Sequence, residues 1–250
     1  MANHTNLRDL FTAIADAIRS KTGSSTPIVA DNFPDEIRTL ATHEDEDAII
    51  EGTLSEYTND RVTSIARSMF YHNTSLVSVN FPKVKSVHGT AFAECEKLTT
   101  VNMPQVENVG YGQYGSAFQN CPRLKEFIAP KIRHIGAYSF SYCLSLVKVD
   151  IGLETNSLTT DICRIGYCAF DGTKLKELII RRKTFVYGLE ENALRGTPIA
   201  NGTGYIYVPR DVIVQYRLLD QWCNVESQIR ALEDYTVDGT ITGELDPNKI

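Results

Sequence analysis

The chain has 250 residues, of which 42% are apolar, and its 25 basic and 31 acidic side chains give a net charge of −6. That apolar content is typical of one or two folded domains and excludes a disordered chain. The acidic balance argues against a nucleic-acid-binding protein, and no apolar run approaches the roughly 18 residues that a membrane-spanning helix needs.

The first 40 residues predict a short helical segment. Five apolar residues recur at helical spacing and form one stripe of an amphipathic helix: Leu7, Leu10, Phe11, Ile14 and Ile18. A second short helix is expected over 34–40. Because two short helices bury little surface by themselves, we expect the segment to dock, either on the first turn of the following domain or on another protein. The opening residues also lack the apolar core of a secretory signal, so export would need another route.

Residues 41–61 carry seven acidic side chains and one basic side chain, whereas residues 62–209 carry eleven acidic and sixteen basic ones. A run of like charges is typical of a solvated segment. We therefore predict an acidic linker over 41–61 in front of a mildly basic domain.

One sequence unit recurs through 62–209. Each unit has two apolar residues three positions apart, then a Phe, a Leu six residues after it and a further apolar residue three residues later. The Phe position is filled by Phe70, Phe92, Phe118, Phe140 and Phe170, and by Leu194 in the sixth unit. The base period of 22 residues is lengthened by four residues at 111–115 and by eight at 154–161.

A period of about 20–29 residues with Leu and Val at fixed offsets is the range of leucine-rich repeats, whose units bury their apolar side only by stacking on one another. We therefore predict an α+β repeat fold, a leucine-rich-repeat solenoid of about six 22-residue coils. It would have the short helical segment at its N-terminus and a helical cap at its C-terminus.

Three cysteines, Cys95, Cys121 and Cys143, occupy one position of successive units. Residues in one phase of a solenoid stack, and unpaired cysteines are among the most buried residue types. We therefore predict buried thiols and expect neither a metal site nor a cofactor. Because no His, Cys or carboxylate grouping has the spacing of a catalytic motif, we also expect no enzyme.

The residues after Pro209 predict the helical cap over 210–236. Asp211 can begin a helix, and Tyr216, Trp222 and Ile229 offer apolar side chains to cover the last coil. We expect Trp222 to lie in the core of this cap. From 237 to 250 the chain is rich in Gly and Asp and is expected to form an extended tail.

The units also predict a candidate binding surface. Between the inward Leu, Val and Ile of each strand, alternation turns other residues toward solvent. These residues are Ser78, Asn80, Thr100, Asn102, Glu126, Ile128, Lys148, Asp150, Glu177 and Ile179. An ordinary solvated sheet face is the alternative interpretation. The first insertion adds Tyr111 and Tyr114, exposed aromatic residues of the kind enriched at binding sites, and Arg181 and Arg182 begin a basic cluster that would steer an anionic ligand.

The repeating unit resembles the BspA-like leucine-rich repeats of bacterial surface proteins over about 62–209. This resemblance implies a non-catalytic protein that binds a surface macromolecule. The segment from Leu7 to Ile37 is similar to N-terminal segments of phage and prophage tail-associated proteins, and that similarity implies attachment to other virion or tail proteins.

Together these resemblances predict a phage or prophage tail-associated component that contacts a cell-surface glycan or protein through its repeats. It would be assembled in the bacterial cytoplasm and located in the virion. Two alternatives stay open: a bacterial cell-surface adhesin of the BspA-like type, and a purely structural virion protein. Assembly into a homo-oligomer is compatible with the sequence.

Overall fold

The computed structural model describes residues 55–111, 115–152, 164–182, 188–237 and 240–241, with side chains up to residue 235. The predicted helical segment over 1–40, including Leu7, Leu10, Phe11, Ile14 and Ile18, lies outside these residues, as do Tyr114 and most of the acidic linker. The described residues form stacked coils of short parallel strands and turns, with few helices.

Two ladders of parallel strands run along the solenoid. The first ladder consists of β1 (Glu56–Thr58), β3 (Ser78–Asn80), β5 (Thr100–Asn102), β7 (Glu126–Ala129), β9 (Lys148–Ile151), β11 (Glu177–Ile180), β13 (Tyr205–Val208) and β14 (Ile229–Ala231). The second consists of β2 (Ser64–Ile65), β4 (Ser86–His88), β6 (Asn108–Tyr111), β8 (His134–Ile135), β10 (Arg164–Ile165) and β12 (Gly188–Leu189). The first six coils contribute one strand to each ladder, and β13 and β14 extend the first ladder, so the described residues form a β-solenoid of about seven turns.

The sequence predicted about six coils. Strands are added at both ends: β14 pairs with β13 at the C-terminal side, and β1 pairs in parallel with β3 at the N-terminal side and places Tyr57 beside Val79. Tyr57 is buried against the rings of Phe70 and Phe81, at centroid distances of 5.6 and 5.5 Å. A segment that looks like linker by its charge therefore contributes a strand, because its one aromatic residue completes the core of the first repeat.

The third side of each coil is a pair of tight turns around the repeated Phe. Its backbone has positive φ at two positions four residues apart, for example at Tyr138 (56°) and Tyr142 (59°). The N–H of Phe92 donates to the Ala117 carbonyl of the next coil at 2.7 Å, and Phe118 donates to Ser139 at the same distance. The left-handed residues thus let the turns stack by hydrogen bonds where regular strands are missing.

The core is a continuous stack of in-phase side chains. The Phe70 and Phe92 rings lie 4.9 Å apart, and the column continues through Phe118, Phe140 and Phe170 at spacings of 5.0 to 5.5 Å, with interplanar angles from 1 to 13°. Such parallel stacking follows from the coil repeat, because equivalent side chains are held about one strand spacing apart.

The first ladder has an interruption. Its strands form one sheet of β1, β3 and β5 and another of β7, β9, β11, β13 and β14, and among the described strands no pairing joins β5 to β7. The break falls in the coil that carries the insertion at 111–115. On the other two sides the coils remain in register across it, since β6 pairs with β8 and the N–H of Glu94 bonds to the Gln119 carbonyl.

The C-terminal end differs from the helical cap that the sequence predicts. After a 3-10 turn (Arg210–Val212), α1 (Ile213–Leu218) is only six residues long and is followed by further 3-10 turns over Trp222–Gln228. The chain then enters the first ladder as β14, which pairs with β13. Trp222 and Tyr216 pack edge to face at 4.9 Å and are fully buried, as expected for a cap core. The alternation of Ile229, Arg230 and Ala231 favours a strand over a helix. The hairpin of β15 (Thr236–Val237) and β16 (Thr240–Ile241) follows.

Candidate functional site: the strand face and the corner groove

The outward side chains of the first ladder form two columns, which together we call the strand face. Parallel pairing aligns Ser78 with Thr100 and Asn80 with Asn102. Further along, it aligns Glu126, Lys148 and Glu177 in the first column and Ile128, Asp150 and Ile179 in the second. Within each of the two sheets of this ladder, the strand residues that the sequence predicts as outward therefore lie in register with one another.

The half of the strand face nearer the N-terminus carries small polar groups. Asn102 Nδ2 donates to Asn80 Oδ1 at 2.7 Å, and Thr99 Oγ1 donates to the Val77 carbonyl at 3.1 Å. Thr100 and Asn102 are exposed, whereas Ser78 and Asn80 are half-buried. The outward side chains of this half therefore form an uncharged hydrogen-bonding surface.

The second half carries charged side chains, and its strongest contact is internal. Arg181 Nε and Nη2 donate to the two carboxylate oxygens of Asp150, both at 2.7 Å, in a bidentate ion pair. Hydrogen bonding to Asp150 raises the pKa of Arg181 above its ordinary value. Such a planar pair is among the stronger charged contacts, so Arg181 and Asp150 are fixed to each other.

The predicted basic cluster needs correction here. Arg182 is only 6% exposed, and Arg181 is neutralised by Asp150. The fold therefore does not present Arg181 and Arg182 as an open pair that could face a ligand. The correction could not come from the sequence, because Asp150 and Arg181 are brought together only by the pairing of successive coils.

The C-terminal end of the strand face is covered. Ile179 and Tyr207 belong to the outward column, yet both are buried. Tyr235, from the 3-10 turn Leu232–Tyr235, packs on the Tyr207 ring at 5.4 Å, and burial raises the pKa of Tyr207 from 10.0 to about 12. The second column is therefore covered from Ile179 onward, whereas the first column continues to Tyr205, which pairs with Glu177 and is 38% exposed.

Tyr111, in the first insertion, is 58% exposed and packs edge to face on His88 at 5.9 Å. It lies at the end of β6, in the second ladder, and not on the strand face. The fold thus does not bring Tyr111 together with the predicted strand residues. Its expected partner Tyr114 lies outside the described residues.

A second surface was missed by the sequence reasoning. At the corner that follows the repeated Phe, a groove of about 600 Å³ crosses three successive coils, and we call it the corner groove. Its lining includes Glu94, Lys97, Asn120, Arg123, Tyr142 and Leu144. The signal for it was the pair Tyr142 and Leu144, two large apolar residues at positions that are charged or small in the neighbouring units.

The three in-phase cysteines are buried as predicted. Each thiol donates to a carbonyl of the preceding coil, Cys95 to Phe70, Cys121 to Phe92 and Cys143 to Phe118, at 3.0 to 3.1 Å. Burial, reinforced by Cys143 and Cys95, raises the pKa of Cys121 well above its ordinary value. These thiols are therefore packing groups. Among the residues with described side chains, no group of three or more His, Cys, Asp or Glu is placed to hold a metal ion.

Residues 54–162 match the family model "BspA type Leucine rich repeat region" in six copies. The solved structures similar to this chain include the pneumococcal vaccine antigen PcpA, at 19% identity over 72% of this chain and with a TM-score of 0.50. They also include a leucine rich cell surface protein from Faecalibacterium prausnitzii A2-165, at 25% identity over 61% of this chain and with a TM-score of 0.44. No functionally curated protein matches the chain.

Residues 54–162 are thus similar to leucine-rich repeats of the BspA type, and the likeness to the pneumococcal antigen shows the same solenoid fold. The chain spans 40% of that antigen's solved chain and 38% of the other. Within the described part of the chain, no helix has the length and apolar character needed to cross a membrane.

Proposed function

We propose that the chain is a non-catalytic recognition protein of the bacterial cell surface, an adhesin built from BspA-type repeats. The repeat match over 54–162 supports this function, because such repeats resemble those of bacterial surface proteins. The sequence prediction of a tail-associated virion protein rests on residues 7–37, which lie outside the described residues, and no comparison supports it. The cell-surface alternative is therefore the function that we put forward.

One observation carries the proposal: the strand face aligns the exposed side chains of successive coils in two columns on a filled, rigid core. Thr100 and Asn102 lie on β5, the last strand of the first sheet, in register with Ser78 and Asn80. A ligand that spans several coils meets side chains whose spacing is set by backbone hydrogen bonds, so little conformational entropy is lost on binding. This is the geometry expected of a surface that recognises an extended macromolecule.

The charged residues of the coil are used in ways that favour binding over catalysis. Asp171 is paired with Arg195, and Asp150 with Arg181, each through a bidentate contact between neighbouring coils. Hydrogen bonding to Asp171 raises the pKa of Arg195 above its ordinary value. Both carboxylates are occupied by a guanidinium of a neighbouring coil and stabilise the stack, whereas a catalytic carboxyl needs to be within reach of a substrate proton.

Binding of the labelled chain to intact bacterial cells and to epithelial monolayers tests the proposal. We expect saturable binding to one of the two surfaces, reduced at least tenfold in a Thr100→Arg, Asn102→Arg variant. The matched control is Thr63→Arg, Thr74→Arg, which adds the same charge at exposed positions outside the strand face and should bind like the parent chain. Absence of saturable binding, or equal loss in both variants, would contradict the proposal.

The location is tested separately with antibodies against the chain. A cell-surface adhesin is labelled on intact producing cells and is absent from purified virions. Detection in virions and not on cells would return the assignment to the tail-associated alternative.

A further inference from the structure

We propose that the corner groove binds a neutral saccharide. This inference rests on the proposed function, since it names a ligand class for a surface-recognition protein, but it places the binding site on a different side of the coil from the strand face. The groove volume of about 600 Å³ falls within the usual range of small-molecule sites.

The groove contains an aromatic platform held in a fixed position. Tyr142 is 49% exposed, yet its ring lies against the next coil, so closely that a Cβ added at Gly172 would come within 3.0 Å of Cδ1. The Tyr142 N–H donates to the Asp171 carbonyl at 2.8 Å, which fixes the backbone. Leu144, 50% exposed, extends the apolar surface. A pyranose ring has an apolar face of C–H groups that packs on such a surface, as an aromatic residue offers large contact area at low entropic cost.

A polar group is held in place at the opposite end of the groove. Glu94 Oε1 accepts a hydrogen bond from Tyr71 Oη, and Glu94 Oε2 lies in hydrogen-bond contact with His72 Nδ1, each at 3.1 Å. Hydrogen bonding to Glu94 raises the pKa of Tyr71. Asn120 and Arg123 lie between Glu94 and Tyr142 in the coil order. Carboxylate, amide and guanidinium are planar groups with two polar atoms side by side, the arrangement that meets two adjacent sugar hydroxyls.

The charge of the groove favours a neutral ligand. The lining contains two carboxylates, Glu94 and Glu96, and two cations, Lys97 and Arg123, so its formal charges cancel. A polyanion or polycation would meet repulsion from one pair, whereas uncharged hydroxyls can bond to both. This balance distinguishes the groove from the net basic character of residues 62–209 as a whole.

The backbone at this corner argues against an extended peptide. A peptide that binds by strand addition needs unpaired backbone groups at a sheet edge. Here the N–H groups of Phe92, Glu94 and Asn120 already donate to carbonyls of the next coil, at 2.7, 2.8 and 3.0 Å. The side chains are therefore the binding groups, which suits a saccharide.

The test is isothermal titration of the full chain with maltotriose, cellotriose, chitotriose and mannotriose, and with sialyllactose and a pooled peptide library for comparison. We expect at least one neutral trisaccharide to bind, with affinity reduced at least tenfold by Tyr142→Gly and by Asn120→Gly. Glycine is chosen because φ is 59° at Tyr142 and 56° at Asn120, a conformation that glycine adopts without strain.

Tyr138→Gly is the matched control, because Tyr138 is an exposed tyrosine of the same coil with φ of 56°, outside the groove lining. It should leave the affinity within twofold of the parent chain. The inference is overturned if no neutral trisaccharide binds, if only sialyllactose or peptides bind, or if the two tyrosine variants bind alike. If it fails while cell binding still depends on Thr100 and Asn102, the proposed function stands without it.

Discussion

At the scale of single residues, the repeat assigns each side chain a role by its phase. The cysteine position shows this, because Cys95, Cys121 and Cys143 are fully buried and each thiol hydrogen-bonds to the preceding coil. Where the unit has no Cys, the polar atom bonds within its own coil: Thr197 Oγ1 donates to the Leu194 carbonyl at 2.7 Å, and Asn73 Oδ1 accepts from the Leu76 N–H at 2.9 Å. The position therefore holds a compact side chain whose polar atom can hydrogen-bond within the core.

We predict that these three thiols do not react with iodoacetamide in the native chain at pH 8, because burial withholds them from the reagent and raises the pKa of Cys121. In a Cys163→Ser, Cys223→Ser background, mass spectrometry should find no modification until denaturant is added. Cys223 is exposed and serves as the positive control in the parent chain. Rapid native labelling of Cys121 would contradict the packed core.

The left-handed turn positions give a second prediction at this scale. Gly196 has φ of 72° and room for a methyl group, since an added Cβ would be 3.5 Å from the nearest atom. Gly196→Ala should therefore lower the free energy of unfolding by about 1 kcal/mol through backbone strain alone. Asn120→Gly, at φ of 56° in the same column, should be neutral or slightly stabilising. Urea denaturation measures both, and an equal effect of the two changes would exclude strain as the cause.

At the scale of elements, the stacked Phe column links the coils. Phe118 lies between Phe92 and Phe140, at 5.0 and 5.3 Å, whereas Phe170 stacks on Phe140 and is followed by Leu194 in the next coil. Phe118→Leu removes two stacked ring pairs and should cost about 1–3 kcal/mol beyond the change in burial.

Phe170→Leu is the matched control, since it removes one such pair and should cost about half as much. The fold already accepts Leu at this position in Leu194, which is buried. Urea unfolding with unchanged m values would measure the difference between the two variants. Equal losses would mean that ring stacking adds nothing to apolar burial.

The elements also show what the sequence can predict. The spacing of Val79 from Leu76 and Phe70 predicts the inward face, and β3 follows the expected alternation, with Val79 buried between the half-buried Ser78 and Asn80. The pairing of Asp150 with Arg181 could not be predicted, because the two residues are 31 positions apart in the sequence, with an insertion between them. The corner groove was missed for a similar reason: its floor depends on left-handed turns at residues such as Asn120 and Tyr142, which have no strong sequence signature.

At the scale of the whole molecule, stability is a sum over neighbouring coils, since a coil contacts mainly the coils before and after it. The C-terminal end is closed by β14 and by the buried Trp222, which together cover what would be an open sheet edge. At the interruption between β5 and β7, successive coils are joined by the second ladder and by the hydrogen bonds between the turns around the repeated Phe. A recognition surface built this way depends on every coil staying in register.

Native-state amide hydrogen exchange tests that claim most directly. The amides of Phe92, Phe118 and Phe140 each donate to the next coil, at 2.7 to 2.8 Å, on the side that bridges the interruption. We predict that all three exchange slowly and with similar opening free energies, as members of one cooperative unit. Exchange of Phe92 at the rate of an unstructured peptide while Phe140 stays protected would show that the coils on either side of the interruption do not stack, and would contradict the account.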